Sequence, residues 1–431
     1  MRLLALSVIL SLLLIFTAIT SMYGDYEEKV VSLRGLERYR ITIDFKVLQY
    51  GFVLPSLEVL LSNSSTFKVY LNSKFTPLPG FYLFLRRIVE RRHAMLCCGS
   101  WYELEIHNDG RFMRFIVKVL NSTFIVTRVH TVPVLFSQGL TYGGGYWYFT
   151  GTASIYKLSP DMSKVVEYSD DPIPVFLKEE GYFHLGDLDY YRGLLLIPIE
   201  KTGYVRPAVI ACYNASTLEL VRYAYVPQDH MPWIAVDGSG YIYTSEFSPV
   251  REIYVYHVDL IGRGNSIEPT RILRLSCELR NVQGGVVLGG GKLLLSADDG
   301  DNLYVVDLRS GEVSKLVTLP GLYEMEGIEF VGDDNSIYVL VNTHEEENIV
   351  YELKYFERGS SLEVFRLRTS DVEVHDKVII RYRASEVVLG GVRCEATGFG
   401  MKTNLGVVLG VAVVCALLIT LYRYFRLKRV K

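Results

Sequence analysis

The sequence lacks the short motifs that mark several common enzyme classes. It has no G-x-S-x-G nucleophile elbow, no P-loop, no HExxH pair, and no paired glycines that follow a strand and open a helix. Its serines and threonines, as in "GSWYELE" and "YNAST", have no base placed beside them in the sequence. Nucleophilic catalysis therefore has no support.

A strong charge imbalance is also missing. The 431 residues carry a formal net charge of -3, which gives no reason to expect nucleic-acid binding. Helical periodicity is nearly absent from the middle of the chain, where short apolar segments alternate with Gly- and Asp-rich turns. The length exceeds one ordinary globular domain, and the lack of helical pattern favours an all-β fold.

The two ends of the chain are apolar. The stretch "MRLLALSVILSLLLIFTAITS" predicts a signal peptide over residues 1–24, with an uncleaved N-terminal anchor as the alternative. Uncharged residues 405–422 are followed by five basic positions, which predicts a transmembrane helix over 403–423 and a cytoplasmic tail over 424–431. We therefore expect a single-pass plasma-membrane protein with its large middle part outside, and sequons at Asn63, Asn121 and Asn214 agree.

Cysteine is scarce, and its spacing predicts little. Cys415 falls in the predicted span, and the other five form no CxxC pair with a matching ligand set, which argues against a structural zinc site. Five is an odd number, so no complete disulfide framework is predicted. One of the adjacent Cys97 and Cys98 could pair with Cys394 if the terminal parts of the exported region pack together. Cys212 and Cys277 lie in apolar alternating segments, which predicts small core residues.

A repeat occupies the middle of the chain. Five copies of strand, tight turn, strand, loop and strand align on Leu140, Leu188, Ile234, Val286 and Ile328, which are 42 to 52 residues apart. That period is typical of propeller blades. Turns such as "YGGGY" and "VDGSG" supply the residues that hairpins require. A parallel β-solenoid is the rival, but its repeats are shorter and more uniform.

Two segments carry a family resemblance. "YIYTSEFSPVREIYVYHVDL" and "KLLLSADDGDNLYVVDLRSGEV" resemble the repeats of TolB-like, NHL and YVTN-type extracellular β-propellers. The resemblance implies a propeller over residues 131–357 with five blades, or six if a degenerate blade comes from "LEVFRLRTSDVEVHDKVIIRYRASEVVL" or from the region before Val132. The strand "STFIVTRVHTV" could complete the last blade and close the ring. The superfamily has many functions, so the resemblance implies fold and not activity.

The flanks of the repeat predict a smaller β-rich unit. Residues 25–130 alternate as strands and form a β-rich N-terminal domain, and residues 358–402 form a β-rich juxtamembrane segment that could share strands with it. The Asn108-Asp109-Gly110 turn is a good hairpin signal. We expect one amphipathic helix near "FYLFLRRIVERRHAM", with its arginines on the solvated side.

Candidate site residues come from the loops of the predicted ring. In a propeller blade, the loop entering the inner strand and the loop after the second strand reach the same face. The first loops supply His184, Asp187, Asp229, His230, Glu324 and Glu326, and the second supply Glu200, Glu246, Asp298, Asp299, His344 and Glu345. His184, His230 and Glu324 hold equivalent positions ahead of the aligned apolar residues. We expect a channel-mouth site with His184, Asp187, His230, Glu246, Glu324 and Glu326 as its ligand-binding residues.

Two functions fit these residues. The first is a binding module that takes a protein, a glycan or a small ligand through the channel mouth, a role that the 31 tyrosines suit. The alternative is a metal-dependent propeller enzyme, lactonase- or lyase-like, that holds Ca²⁺ or Mg²⁺ among the histidines and glutamates. The plain structural interpretation is that the aspartates, Asp187 among them, brace neighbouring blades by accepting backbone N–H bonds. The lack of a catalytic motif favours binding over catalysis.

Overall fold

The computed structural model describes residues 26–49, 56–70, 80–85, 88–92, 95–319, 324–333 and 335–397. This part of the chain is all-β, with strands β1 to β34 numbered in chain order and one short helix, α1 (Val175–Glu179). Two 3₁₀ turns, Val258–Leu260 and Thr369–Asp371, complete the regular structure. The predicted signal peptide, membrane span and basic tail lie outside the described residues.

The predicted location requires a correction. Among the ranges that the structure describes, no helix is both long and apolar enough to cross a membrane. On this finding the prediction of a single-pass plasma-membrane protein is wrong.

Five antiparallel sheets follow each other along the chain. Sheet 1 contains β11 (Gly139–Gly143), β12 (Tyr146–Gly151), β13 (Ser154–Leu158) and β14 (Val165–Ser169). Sheet 2 contains β15 (Tyr182–Leu185), β16 (Asp189–Tyr191), β17 (Leu194–Lys201), β18 (Ala208–Asn214), β19 (Leu220–Val226) and, added in parallel, β23 (Arg263–Ser266). Sheet 3 contains β20 (Ala235–Val236), β21 (Tyr241–Thr244), β22 (Val250–His257) and β24 (Arg271–Leu279). Sheet 4 contains β25 (Val282–Gly289), β26 (Lys292–Ala297), β27 (Asn302–Asp307) and β28 (Val313–Thr318). Sheet 5 contains β29 (Glu324–Val331), β30 (Ser336–Asn342), β31 (Glu347–Phe356), β10 (Thr123–Pro133) and β7 (Met95–Leu96).

The five sheets contact each other in a closed, propeller-like cycle. One strand of each sheet lies nearest the axis of the cycle, and we call it the first strand of that sheet. These strands contact each other in the order β11, β16, β20, β25, β29 and back to β11. Five apolar cores fill the spaces between neighbouring sheets. The last of them joins Leu140 of sheet 1 to Leu340 of sheet 5. Each sheet therefore buries both of its faces, as it must when no helix covers it.

Strand β10 closes the cycle. It pairs antiparallel along the whole of β31, although the paired residues Pro133 and Glu347 are 214 positions apart in the sequence. This is the strand "STFIVTRVHTV" that the sequence suggested for this place. The predicted boundary at 130/131 falls inside β10, so the segment that enters sheet 5 begins before that boundary.

Two further sheets pack around a separate core. Sheet A has the order β1 (Tyr26–Ser32), β33 (Lys377–Arg383), β3 (Leu57–Leu60), β4 (Thr66–Tyr70), β5 (Gly80–Leu85), β6 (Ile88–Arg92). Sheet B has the order β32 (Ser361–Arg368), β9 (Phe112–Val119), β8 (Trp101–Asn108), β2 (Tyr39–Val47), β34 (Val387–Ala396). Strands from both flanks of the ring thus share each sheet, and one core unites them, with Phe67, Phe115 and Phe365 in contact.

Three local predictions are wrong. The segment predicted as an amphipathic helix contains the hairpin β5–β6, because Phe81, Leu83 and Leu85 alternate toward the core with the period of a strand. Cys394 is a free thiol, so the suggested disulfide between it and Cys97 or Cys98 is not formed. Cys277, predicted to be a core residue, is exposed on β24.

Candidate functional site

One end of the ring collects the sequence-predicted polar residues. His184 lies on β15, His230 precedes β20, and Glu324 begins β29, all at the ends where chains enter the first strands. Glu200 ends β17 and Glu246 follows β21, so both lie where second strands finish. Because consecutive strands are antiparallel, these positions fall on the same end of the ring, which we call the mouth face.

A buried carboxylate joins the two predicted histidines. Glu200 is 0% exposed, and its Oε2 lies 2.8 Å from Nδ1 of His184, its direct cross-strand neighbour. The second nitrogen of His184, Nε2, lies 2.6 Å from Oε1 of Gln138. The second oxygen of Glu200, Oε1, is buried and accepts no hydrogen bond from the described residues; it lies 3.8 Å from Nε2 of His230. A buried acceptor without a hydrogen bond is costly, which makes Glu200 Oε1 the unsatisfied point of this site.

Two aromatic rings hold His230 in place. Its imidazole stacks on Tyr204, with centroids 3.9 Å apart, and on Phe247, with centroids 4.6 Å apart. Burial lowers the pKa of His230, so the ring favours its neutral form. Tyr204 also meets His184 edge-on and keeps 42% of its surface exposed. The ring of Tyr204 therefore forms the outer surface of the group His184, Glu200, Tyr204, His230 and Phe247, which we call the histidine cluster.

A pair of carboxyl groups borders the histidine cluster. Burial, and then the neighbouring Asp229, raise the pKa of Glu246 to about 8. A hydrogen bond from Glu246 is the main cause that lowers the pKa of Asp229. Both side chains also accept the backbone N–H of His230, at 3.1 Å from Glu246 Oε2 and 2.7 Å from Asp229 Oδ1. The two groups therefore share one proton at neutral pH and fix the backbone that carries His230.

A second set of acids lies on sheets 4 and 5. Burial, and then Glu324, raise the pKa of Glu326 well above its usual range, and burial raises that of Asp298 to about 6. Glu324 also lies 3.0 Å from Nε2 of His344. The charges of Glu326 and Glu324 contribute to the raised pKa of Tyr204, behind burial and Glu200. We call Asp298, Glu324 and Glu326 the acidic cluster.

Asp187 lies apart from the mouth and at the centre of the ring. It is 0% exposed, and its carboxyl oxygens accept the N–H groups of four residues at distances of 3.1 to 3.4 Å: Leu140, Leu188, Gly285 and Ile328. Its backbone bridges to sheet 3 through the carbonyl of Pro232 and the N–H of Ile234. Burial raises the pKa of Asp187 well above its usual range. The side chain and backbone of this one residue together contact all five sheets, and its position is that of a brace.

A metal centre finds no support in this arrangement. Within the ranges described, no group of three or more His, Cys, Asp or Glu side chains is arranged to hold a metal ion. The two histidines direct nitrogens at Glu200 and Gln138. Asp229 pairs with Glu246, and Glu324 pairs with Glu326. Sequence reasoning also missed Gln138, Tyr204 and Phe247. Tyr204 had one available signal, because it directly follows the Gly203 turn after Glu200.

No protein-family model matches the chain, and no curated protein matches it. Among solved structures it is similar to glutaminyl cyclase from Myxococcus xanthus, with a TM-score of 0.42 and 10% identity over 55% of this chain and 97% of the other. It is also similar to a luciferin-regenerating enzyme, with a TM-score of 0.36 and 11% identity over 78% and 99% of the two chains. The WD40 β-propeller domain of Doa1 gives a TM-score of 0.32 and 10% identity over 72% and 97%. Since these TM-scores are below 0.5, the propeller-like description rests on the sheet order and the cyclic contacts.

Proposed function

We propose that the chain is a five-bladed β-propeller that acts as a binding module and takes its ligand at the mouth face. The observation that carries this proposal is Glu200, a fully buried carboxylate between His184 and His230 with one oxygen that accepts no hydrogen bond from the described residues. A buried acceptor without a hydrogen bond destabilises the folded protein, and a ligand that donates a hydrogen bond to it would remove this cost. Ligand sites concentrate convergent polar groups of this kind beside aromatic surface.

The mouth face supplies the other parts of a binding site. Gln138, His184, His230 and Glu326 come from four different sheets, so the ligand would contact a surface that exists only in the closed ring. Tyr204 adds a large ring that is partly exposed and already ordered by stacking. An ordered aromatic residue offers contact area at a low entropic cost. The ligand would be a small molecule, a glycan or a segment of a protein.

The metal-dependent enzyme has no specific observation in its favour. Its expected ligands, His184, His230 and Glu324, fall into two groups with different partners, Glu200 for the histidines and His344 for Glu324. Ca²⁺ takes six to eight oxygen ligands. Neither group presents such a set among the residues described. We therefore rank binding first.

A ligand screen with paired variants tests the binding module. The purified protein would be screened against a metabolite library by thermal shift and against a glycan array. Each ligand found would be retested on H184A/H230A and on R271A/R309A, whose arginines line a cavity of about 360 Å³ at the opposite end of sheets 3 and 4. We expect ligands to be lost by the histidine variant and kept by the arginine variant. The reverse pattern would move the site to the other end, and an absence of ligands would contradict the proposal.

A further inference from the structure

Carboxyl groups dominate the mouth face. Six of them line it, namely Glu200, Asp229, Glu246, Asp298, Glu324 and Glu326. Among the described residues, the Lys or Arg side chain within ion-pair distance of these six is Arg206, whose Nε lies 3.9 Å from Asp229. Three of the six, Glu246, Asp298 and Glu326, have raised pKa values because burial disfavours their charge. Lys201 and Arg206 are the basic residues beside Glu200 and Asp229, so acids outnumber bases at this face.

Glu200 gives this acidic surface a defined centre. It is buried, its Oε2 is engaged by His184, and its Oε1 accepts no hydrogen bond from the described chain. His230, the nearest nitrogen to Oε1, is 3.8 Å away and favours its neutral form, so it supplies neither a hydrogen bond nor a full charge. The atom that would complete this environment is a hydrogen-bond donor that carries positive charge.

An anion is excluded by the charge of this surface, and a metal ion by its geometry. Phosphate or carboxylate would meet six acids and a single nearby arginine. A divalent metal ion would need several carboxylates directed at one point, and the described residues contain no such group. An organic cation needs less: one or two carboxylates for its N–H donors and an aromatic ring for its carbon chain or its charge. Tyr204 supplies that ring in the histidine cluster.

We propose that the mouth face recognises an organic cation, a primary ammonium or guanidinium group, placed beside Tyr204 with Glu200 and Glu326 as its counter-charges. This proposal rests on the binding module described above and names the chemical class of its ligand. The group could belong to a small metabolite or to a Lys or Arg side chain of a protein. The contacts required are the same for both sources.

Cation binding would release protons. Glu246 faces Asp229 and the N–H of His230, with Arg206 nearby. Asp298 faces Gln283, the N–H of Met325 and Glu324. Glu326 faces Glu324, Asp298 and Asn342. A cation favours the ionised form of each acid, which lowers its pKa. The complex then holds fewer protons than the free protein, so affinity rises with pH between about 6 and 8. Protonation of His230 at lower pH acts in the same direction, because it adds positive charge.

Titration calorimetry on the full-length protein tests the class of ligand. The probes are n-butylammonium and n-butylguanidinium, with n-butanol as the neutral probe and butyrate as the anion. A peptide, N-acetyl-Gly-Lys-Gly-amide, distinguishes a protein side chain from a free amine. We expect the cations to bind at least about tenfold tighter than butanol, with proton release detected as a dependence of the heat on the buffer. Tighter binding of the peptide than of butylammonium would indicate a protein partner as the source.

Matched variants locate the binding. E200Q keeps the size of the side chain and removes its charge, and we expect a loss of affinity of about tenfold. E324Q, at a partly exposed position, provides a second variant if E200Q fails to fold. D259N removes one charge at an aspartate that is 81% exposed and distant from the mouth, and we expect no change. Equal or tighter binding of butanol or butyrate, or no binding of either cation, would overturn the cation class. If such binding still depended on His184 and His230, the binding module itself would stand.

Discussion

At the scale of single residues, Asp187 explains why the repeats align as they do. The five aligned apolar positions are Leu140, Leu188, Ile234, Val286 and Ile328. Four of them donate their own N–H to Asp187, and Gly285 donates in place of its neighbour Val286. The alignment was predicted from sequence because apolar first strands recur. The role of Asp187 was open, because a sequence does not show which of several acids lies on the axis.

Replacing Asp187 by asparagine should destabilise the fold. In D187N one oxygen becomes an NH₂ group that faces two backbone N–H donors, either Leu140 and Leu188 or Gly285 and Ile328. Two buried donors would lose their acceptor, so we expect the free energy of unfolding to fall by about 2–4 kcal/mol in urea titrations. D299N, at an exposed aspartate, should change it by less than about 0.5 kcal/mol. Equal stability of the two variants would refute the brace.

The shared proton of Asp229 and Glu246 predicts a pH effect on stability. The folded pKa of Glu246, about 8, lies above its ordinary value, so its contribution to stability is complete below about pH 4.5 and is lost as pH rises through 8. The lowered pKa of Asp229 acts only at acidic pH and does not offset this loss.

E246Q should therefore lose less stability than the native protein between about pH 5 and pH 8.5. Thermal unfolding at the two pH values would measure the difference, with E219Q as an exposed control that keeps the native slope. Glu326 and Asp298 also have raised pKa values, so some slope should remain in E246Q. Identical slopes for E246Q and E219Q would show that the pair does not hold the proton.

At the scale of elements, the first strands approach each other closely around Asp187. A Cβ atom on Gly139 would lie 2.4 Å from Cα of Asp187, and one on Gly327 would lie 2.8 Å from Cα of Gly139. These glycines let the backbones of β11 and β29 pass beside the axis. The repeat pattern predicted the strands themselves. The short distance between the backbones of neighbouring first strands depends on closure of the ring, which is set by contacts between residues far apart in sequence.

Adding a methyl group at this contact should strain the ring. In G139A the new Cβ meets backbone atoms, which cannot rotate away as a side chain can, so we expect a loss of more than about 2 kcal/mol. G238A is the matched control, because a Cβ there would meet nothing within 4 Å. The two variants would be compared by denaturant unfolding. A G139A protein as stable as G238A would mean that the first strands can move apart freely.

The hairpin β5–β6 shows where element prediction failed. Residues 81–85 read "FYLFL", which is apolar at every position, so helical and strand periods fit equally well. Pairing with β4 decided the outcome, because it places Phe81, Leu83 and Leu85 in the core shared by sheets A and B. Asp298 was found as a loop residue from sequence for the opposite reason: the turn near it was clear. Glu200 was also predicted in a loop, but it lies on β17.

At the scale of the whole molecule, the chain has two separable sets of cores. The core of sheets A and B includes residues from both flanks, whereas the five cores of the ring lie between its own sheets. Repeat spacing predicted the ring. The interleaving of β32, β33 and β34 into sheets A and B could only be suggested, since antiparallel partners separated by about 240 to 360 residues leave no local signal.

Hydrogen exchange measured on I380A should show that the core of sheets A and B unfolds independently of the five cores of the ring. Ile380 on β33 is fully buried in the core of sheets A and B, and its truncation should cost about 2–4 kcal/mol. We expect faster amide exchange in β1 and β3 and unchanged exchange in β17 of the ring. I379A, on the opposite face of the same strand, should have a smaller effect. Equal acceleration in β17 would show that the molecule unfolds as one unit.

The pairing of β10 with β31 and of β1 with β33 has a consequence for synthesis. A ribosome makes β1 and β10 early, but their partners emerge only after residues 347–356 and 377–383 are translated. At about 5–20 residues per second, the N-terminal strands would wait on the order of ten seconds or more with unpaired edges. The apolar residues of β10 would be open to chaperones, or to a neighbouring nascent chain, for that whole interval.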